Sequence, residues 1–240
     1  MMLGWRAKIG QIRPATAIEG AEEWRQLTLP GVAFADARTI VPKVDRDGLQ
    51  VMMSQVLEAS RQLATSKVDL IVQCGAPGTF LEGPAADERI KREIFDAVGI
   101  PAITMQEAAV KALKALDVTT IALGSIYTDD VNEALATSLE AQGFRVTAME
   151  GLGLDDPYEA SLHDIDSAYR LGRSVYRKSG NADVTLISCG TYRTFGMLKY
   201  LEMDTGAPVI SSNQSTLWHA FRTLGMPDVI PELGALWSAA

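Results

Sequence analysis
The chain has 240 residues, 47% hydrophobic and 22% charged, with a net charge of -8. That composition describes a globular body with a substantial core, as one large domain or two of roughly 100–120 residues. The acidic balance argues against a nucleic-acid partner, no apolar run approaches a membrane span, and residues 1–8 lack the basic and apolar regions of a signal peptide.

In chain order, a strand is predicted over residues 7–12, ended by Pro14, and a second over 32–39. Residues 47–65 read as one helix, because Leu49, Met52, Met53, Val56, Leu57 and Leu63 approximate one apolar face. A third strand over 68–74 leads into a Gly/Pro-containing loop through Pro84. A helix over 86–98, a short strand over 102–105 and a helix over 106–116 complete the first part. The second part opens with a strand over 119–124, then a helix to residue 142 with Asp129 or Asp130 as N-cap. A strand over 145–149, a loop over 151–157, a helix over 162–177 and a strand over 184–188 come next. A helix after Thr194, a short strand at 209–210 and a helix over 216–224 follow. Such alternation predicts an α/β fold with parallel sheets covered by helices on both faces.

The two parts repeat one another. Val68-Asp69-Leu70-Ile71-Val72-Gln73-Cys74-Gly75 and Asp183-Val184-Thr185-Leu186-Ile187-Ser188-Cys189-Gly190 are both short apolar runs ending at Cys-Gly. Each is followed by a Gly-x-Pro strand, at Gly99-Ile100-Pro101 and Gly206-Ala207-Pro208, and then by a helical pattern. This order predicts two pseudo-symmetric α/β halves, residues 1–117 with 214–240 and residues 118–213, with an active site in the cleft between them.

The two cysteines are the only ones in the chain, and their separation does not read as a disulfide framework, so a reducing cytoplasm is the expected setting. His163 and His219 lie in no close ligand pattern with Cys, Asp or Glu, which predicts no metal site. P-loop, G-x-G-x-x-G after the first strand, and Gly-x-Ser-x-Gly are all absent. Thiol chemistry remains. A thiol at a strand end can act as nucleophile or proton donor, and the backbone at Gly190, reinforced by a following helix N-terminus, can face an anion such as an enediolate. The competing reading of Cys189 is a small buried core residue.

The duplicated Cys-Gly strand ends and Gly-x-Pro strands resemble the cofactor-independent Asp/Glu racemase superfamily. Within it, Ala122-Leu123-Gly124-Ser125-Ile126-Tyr127-Thr128-Asp129-Asp130-Val131-Asn132-Glu133 is most similar to the arylmalonate decarboxylases, as are Ile9-Gly10-Gln11-Ile12-Arg13-Pro14 and Leu186-Ile187-Ser188-Cys189-Gly190. The resemblance implies that racemases and maleate isomerases use a cysteine from each half, whereas the decarboxylases keep the second and place glycine opposite. Aligning Asp69 with Asp183 puts Gly75 opposite Cys189. Aligning Cys-Gly with Cys-Gly puts Cys74 there, and the first alignment is favoured.

Further roles follow from the same resemblance. Tyr127 helps bind a carboxylate, Gly75 and Ala76 with Gly190 and Thr191 form an anion pocket, and Pro14 lies beside it. The chain departs from the decarboxylases where Ala76 and Pro77 replace two hydroxyl residues, Thr79 being the candidate to restore one. It also carries Arg13 in place of an apolar residue, either as a bidentate partner for a carboxylate or as a structural arginine. The expectation is a cytoplasmic, cofactor-free decarboxylase of a small malonate-type dicarboxylate, with no nucleic-acid or membrane partner and with Cys189 protonating the enediolate. The alternatives are a two-cysteine isomerase or racemase using Cys74 and Cys189, and a carboxylate-binding protein without turnover.

Overall fold
The computed structural model describes residues 3–27, 29–83 and 85–239. Pro84, the expected loop end, and the outermost positions of the first half at residues 1, 2 and 240 lie outside them. The first half runs β1 (Ala7–Pro14), α1 (Ile18–Gln26), β2 (Val32–Thr39), α2 (Arg46–Ser54), α3 (Val56–Thr65), β3 (Leu70–Gln73), α4 (Pro77–Phe80), α5 (Ala86–Val98), β4 (Ala102–Thr104) and α6 (Met105–Ala115). The second runs β5 (Thr120–Ser125), α7 (Asp129–Glu140), β6 (Arg145–Gly151), α8 (Ile165–Lys178), β7 (Val184–Ser188), α9 (Phe195–Thr205), β8 (Val209–Ser211) and α10 (Ser212–Thr223).

Each half holds a four-stranded parallel sheet of the same topology, β2-β1-β3-β4 and β6-β5-β7-β8. Strands of this kind are buried on both faces, and β3 and β7 are mainly apolar and buried throughout. In the first half, Ile12, Ile71, Val56 and Leu63 pack with Ile90 and Ile94 on the outer face. Ile9, Leu70, Val72 and Cys74 point into the core shared with the second half. Cleft and core therefore lie on the same side of the sheet.

Three elements depart from expectation. The predicted helix over 47–65 breaks into α2 and α3 at Gln55. Its amide donates to the carbonyls of Ile40 and Val51 and accepts from Ile40 N–H, so the side chain ties the helix junction to the chain leaving β2. The break lets Leu49 and Met52 face the cleft while Val56 and Leu63 enter the outer core. The unpredicted α1 buries Gly20, Ala21, Glu23 and Trp24, a face that is not apolar by residue type. Thr128, rather than Asp129 or Asp130, precedes α7, and both aspartates occupy its first turn, where the helix dipole favours them.

The C-terminal segment is shared between the halves rather than returned wholly to the first. Helix α10 packs most extensively on α6. Residues 231–238 cover α9 and β8 of the second half, with Trp237 against Phe221 and Gln214 Nε2 donating to the Leu233 carbonyl.

Candidate active site
The two sheets position their strand-end loops by equivalent devices. Asp69 accepts from Lys8 N–H at the start of β3, and Asp183 accepts from Thr119 and Thr120 N–H at the start of β7. Leu70 pairs with Ile9 as Val184 pairs with Ile121. Gln73 pairs with Thr104, the N-cap of α6, and Ile187 with Ser211, the N-cap of α10. Counting on from these registers, Cys74 is the counterpart of Ser188, and Gly75 that of Cys189. A one-residue slip would exchange the faces of every side chain, which the paired strands forbid.

The loops meet in a small cavity of about 50 Å³. Cys74, Gly75, Ala76 and Pro77 come from the first loop, and Cys189, Gly190 and Thr191 from the second. Pro14 and Tyr127 complete the expected set. A Cβ on Gly190 would approach the Cys74 carbonyl to 3.5 Å and Met105 Cε to 3.1 Å, so the loops close on one another. Among the described residues, the N–H groups of Gly75, Ala76 and Gly190 donate to no protein acceptor. Three unspent backbone donors at a cavity wall are suited to a carboxylate or an enediolate.

Both cysteines are free and buried. Cys189 Sγ accepts from Thr191 N–H at 3.3 Å. Burial pushes its thiol above the ordinary value, against the opposing donation from Thr191 and Tyr192. Cys74 turns its Sγ back toward the Val72 carbonyl at 3.7 Å, and burial likewise raises it, opposed by the positive charge of Arg13. Each thiol thus keeps its proton near neutral pH, a state that donates a proton rather than attacks as thiolate. Tyr127 is fully buried, edge-on to Phe80. Burial and the nearby Cys189 lift its phenol well above the usual value, so it too remains a donor.

Two expected residues stand elsewhere. Thr79 is buried within α4, where its hydroxyl donates to the Ala76 carbonyl at 3.1 Å, and it does not reach the wall. Arg13 lies behind the second loop, its guanidinium 4.8 Å from the Trp24 ring centroid, bonded to Gln11, Asn213 and the Gly190 carbonyl. Its Nε and Nη1 are held by protein groups, Nη2 has no partner among the described residues, and the side chain is not on the cavity wall, so of the two expected roles the interior one matches this placement. The expected helix N-terminus after Cys189 is corrected too. Glu23 of α1 accepts from Thr194 N–H at 2.5 Å and Phe195 N–H at 2.7 Å, occupying the start of α9.

The remaining wall is apolar. Leu49, Met52 and Met105 come from helices, and Val41, Val44, Pro157 and Ala160 from loops that cap the cleft. Periodicity had shown Leu49 and Met52 as buried without distinguishing core from cavity. Nothing in the sequence marked Val41 or Ala160. The two capping loops are clasped by Val44 N–H donating to the Asp155 carbonyl at 2.7 Å and by the Lys43–Asp155 ion pair at 2.8 Å. Among the described residues, no group of three or more His, Cys, Asp or Glu side chains could hold a metal ion, and no helix is long and apolar enough to cross a membrane.

Comparison with known proteins gives this geometry its context. The family model described as arylmalonate decarboxylase matches residues 9–237. Arylmalonate decarboxylase of Bordetella bronchiseptica is 27% identical over 89% of this chain and 88% of its own length. Maleate isomerase of Nocardia farcinica is 23% identical over 95% of this chain and 94% of its own. A liganded variant of arylmalonate decarboxylase, with one glycine replaced by cysteine and one cysteine by serine, superposes with a TM-score of 0.89 at 26% identity. That match covers 96% of this chain and 98% of the other. The chain belongs to the arylmalonate decarboxylase family and is an enzyme of the decarboxylase and isomerase group that shares this fold.

Proposed function
We propose that the protein decarboxylates a small, substituted malonate-type dicarboxylate. The observation that carries this reading is the asymmetry of the wall: free N–H donors at Gly75, Ala76 and Gly190 on one side, and no charged side chain anywhere on it. One carboxylate is held by those donors and by the Tyr127 phenol. The other lies against the apolar wall, where loss of hydration favours its departure as carbon dioxide. Cleavage of that carbon–carbon bond leaves its electron pair on the α-carbon as an enediolate, stabilised by the same N–H groups. The Cys189 S–H bond then breaks, its proton passes to the α-carbon, and the thiolate recovers a proton from water. A cis–trans isomerase acting on maleate keeps both carboxylates and needs a cradle for each, which this wall does not offer.

One further point supports the assignment. In the liganded arylmalonate decarboxylase variant, the exchanged glycine and cysteine are as far apart in sequence as Gly75 and Cys189 are here. The resting cavity of about 50 Å³ is well below the roughly 150 Å³ that accommodates a benzene ring, so the capping loops must part to admit even an unsubstituted malonate. The second reading, a two-cysteine isomerase, is favoured by the presence of Cys74 on the wall and by the similarity to maleate isomerases.

NMR in deuterium oxide with alkylmalonates, phenylmalonate, maleate and amino acids separates the two. Decarboxylation with one deuterium placed on the α-carbon is the expected result. Isomerisation or α-proton exchange without carbon dioxide release would replace it with the second reading.

A further inference from the structure
Cys189, Gly190 and Thr191 form a loop whose central peptide can rotate, because Gly190 carries no Cβ to restrict it. The Gly190–Thr191 peptide has one defined direction here. Its carbonyl accepts from Arg13 Nη1 at 3.3 Å on the interior side, and its N–H donates to Cys189 Sγ at 3.3 Å on the cavity side. In a trans peptide the C=O and the following N–H point oppositely, so fixing one end aims the other. We propose that Arg13 is a positioning residue for Cys189: by holding the Gly190 carbonyl from behind, it aims the Thr191 N–H at the cysteine sulfur. This rests on the assignment of Cys189 as the reacting group.

Arg13 is itself held through Nε and Nη1, while Nη2 has no hydrogen-bond partner among the described residues. It is fully buried, its Nε donates to Gln11 Oε1 at 2.5 Å and its Nη1 to Asn213 Oδ1 at 3.1 Å, and the guanidinium lies over Trp24. Asn213 in turn donates to Glu23 at 3.1 Å, and Trp24 Nε1 donates to the Asn213 carbonyl at 3.2 Å. The same Glu23 holds the N–H groups of Thr194 and Phe195, so the second loop is pinned from behind at both ends. Gly20 completes the fit. A Cβ there would sit 2.0 Å from the Gly190 carbonyl oxygen and 2.8 Å from Arg13 Nη1, so α1 can pack on the loop only through a glycine.

The Thr191 N–H is one of the groups that oppose the burial-driven rise of the Cys189 thiol, and its loss raises the thiol further. The titratable groups facing this arrangement are Glu23 from α1, Tyr127 and Tyr192 near the sulfur, and Cys74, Asp36 and Arg38 around the guanidinium.

The test measures the pH profile of Cys189 alkylation by iodoacetamide, followed by peptide mass so that Cys74 is counted separately. It needs no substrate, so its outcome is independent of whether the enzyme decarboxylates or isomerises. In Arg13→Met, which keeps the unbranched apolar stem and removes the donors, the Cys189 midpoint moves upward by about one pH unit. Arg13→Lys, with a single ammonium group in place of the fork, recovers part of the difference. A folded Arg13→Met protein with an unshifted Cys189 midpoint overturns the proposal. If Arg13→Met fails to fold, Gly20→Ala crowds the same carbonyl and Arg13 Nη1 while keeping the guanidinium charge. An upward shift there supports the proposal, and an unshifted midpoint overturns it.

Discussion
Gly75 and Cys189 occupy the same step of two duplicated loops, and the difference between them sets what each loop can do. Glycine leaves room and backbone donors, and cysteine adds one transferable proton. Loss of the donor in Cys189→Ala should therefore lower turnover by at least 10²-fold. Cys74→Ala should retain most activity, because that thiol is turned toward its own strand. Steady-state rates of both variants, with circular dichroism to show folding, decide the matter, and a folded but inactive Cys74→Ala protein would contradict the single-cysteine mechanism. The pH dependence has a definite sign. Burial holds Cys189 above the ordinary thiol value, so the protonated donor is complete at neutral pH and is lost only as pH rises through that raised value. The alkaline limb of a kcat profile should accordingly lie above the ordinary thiol value of about 8.5, and one centred below it would exclude Cys189 as its source.

At the scale of elements, the loop after β2 and the loop after β6 occupy equivalent places in the two halves, and together they roof the cavity. Their connection is light, one backbone bond and the exposed Lys43–Asp155 pair. Exposed pairs of this type are weak and screened by salt. The roof can therefore open for a substrate larger than the resting cavity. Lys43→Ala should raise KM a few-fold at low ionic strength, with the difference from the parent disappearing in about 0.5 M salt. A salt-independent difference would show that Lys43 acts by some route other than the clasp. The break at Gln55 serves the same roof, since it is what turns Leu49 and Met52 into the cleft.

The halves are joined across α6 and α10, where Glu107 receives Lys91 at 2.9 Å and lies 3.8 Å from His219. Although burial opposes ionisation, these partners hold Glu107 down at about 2, against an ordinary value near 4.5. Because the folded value is depressed, its stabilisation is present above about pH 4.5 and disappears as pH falls through 2. Glu107→Gln should lower stability at pH 7 by about 1–3 kcal/mol, and the gap from the parent should close as pH falls through that window. Urea unfolding at pH 7 and pH 3 measures both quantities. Equal destabilisation at the two pH values would assign the effect to packing instead of charge.

The sequence by itself determined the α/β class, the duplication and the Cys-Gly strand ends, because strand burial and strand-end punctuation are local properties of composition and spacing. The equal distance from Asp69 to Gly75 and from Asp183 to Cys189 also contained the register that the paired strands adopt. Tertiary structure alone decided which buried groups face the cavity and which support it. Arg13 and Thr79 could both be substrate contacts in one dimension, yet Arg13 bonds Gln11, Asn213 and the Gly190 carbonyl behind the second loop, and Thr79 bonds Ala76. The carboxylate of Glu23, which caps a helix 171 residues away, belongs to a helix whose buried face of Gly, Ala, Glu and Trp carries no apolar period to read. A side chain's partner across the cleft is set by how two sheets pack, and no local pattern encodes that distance.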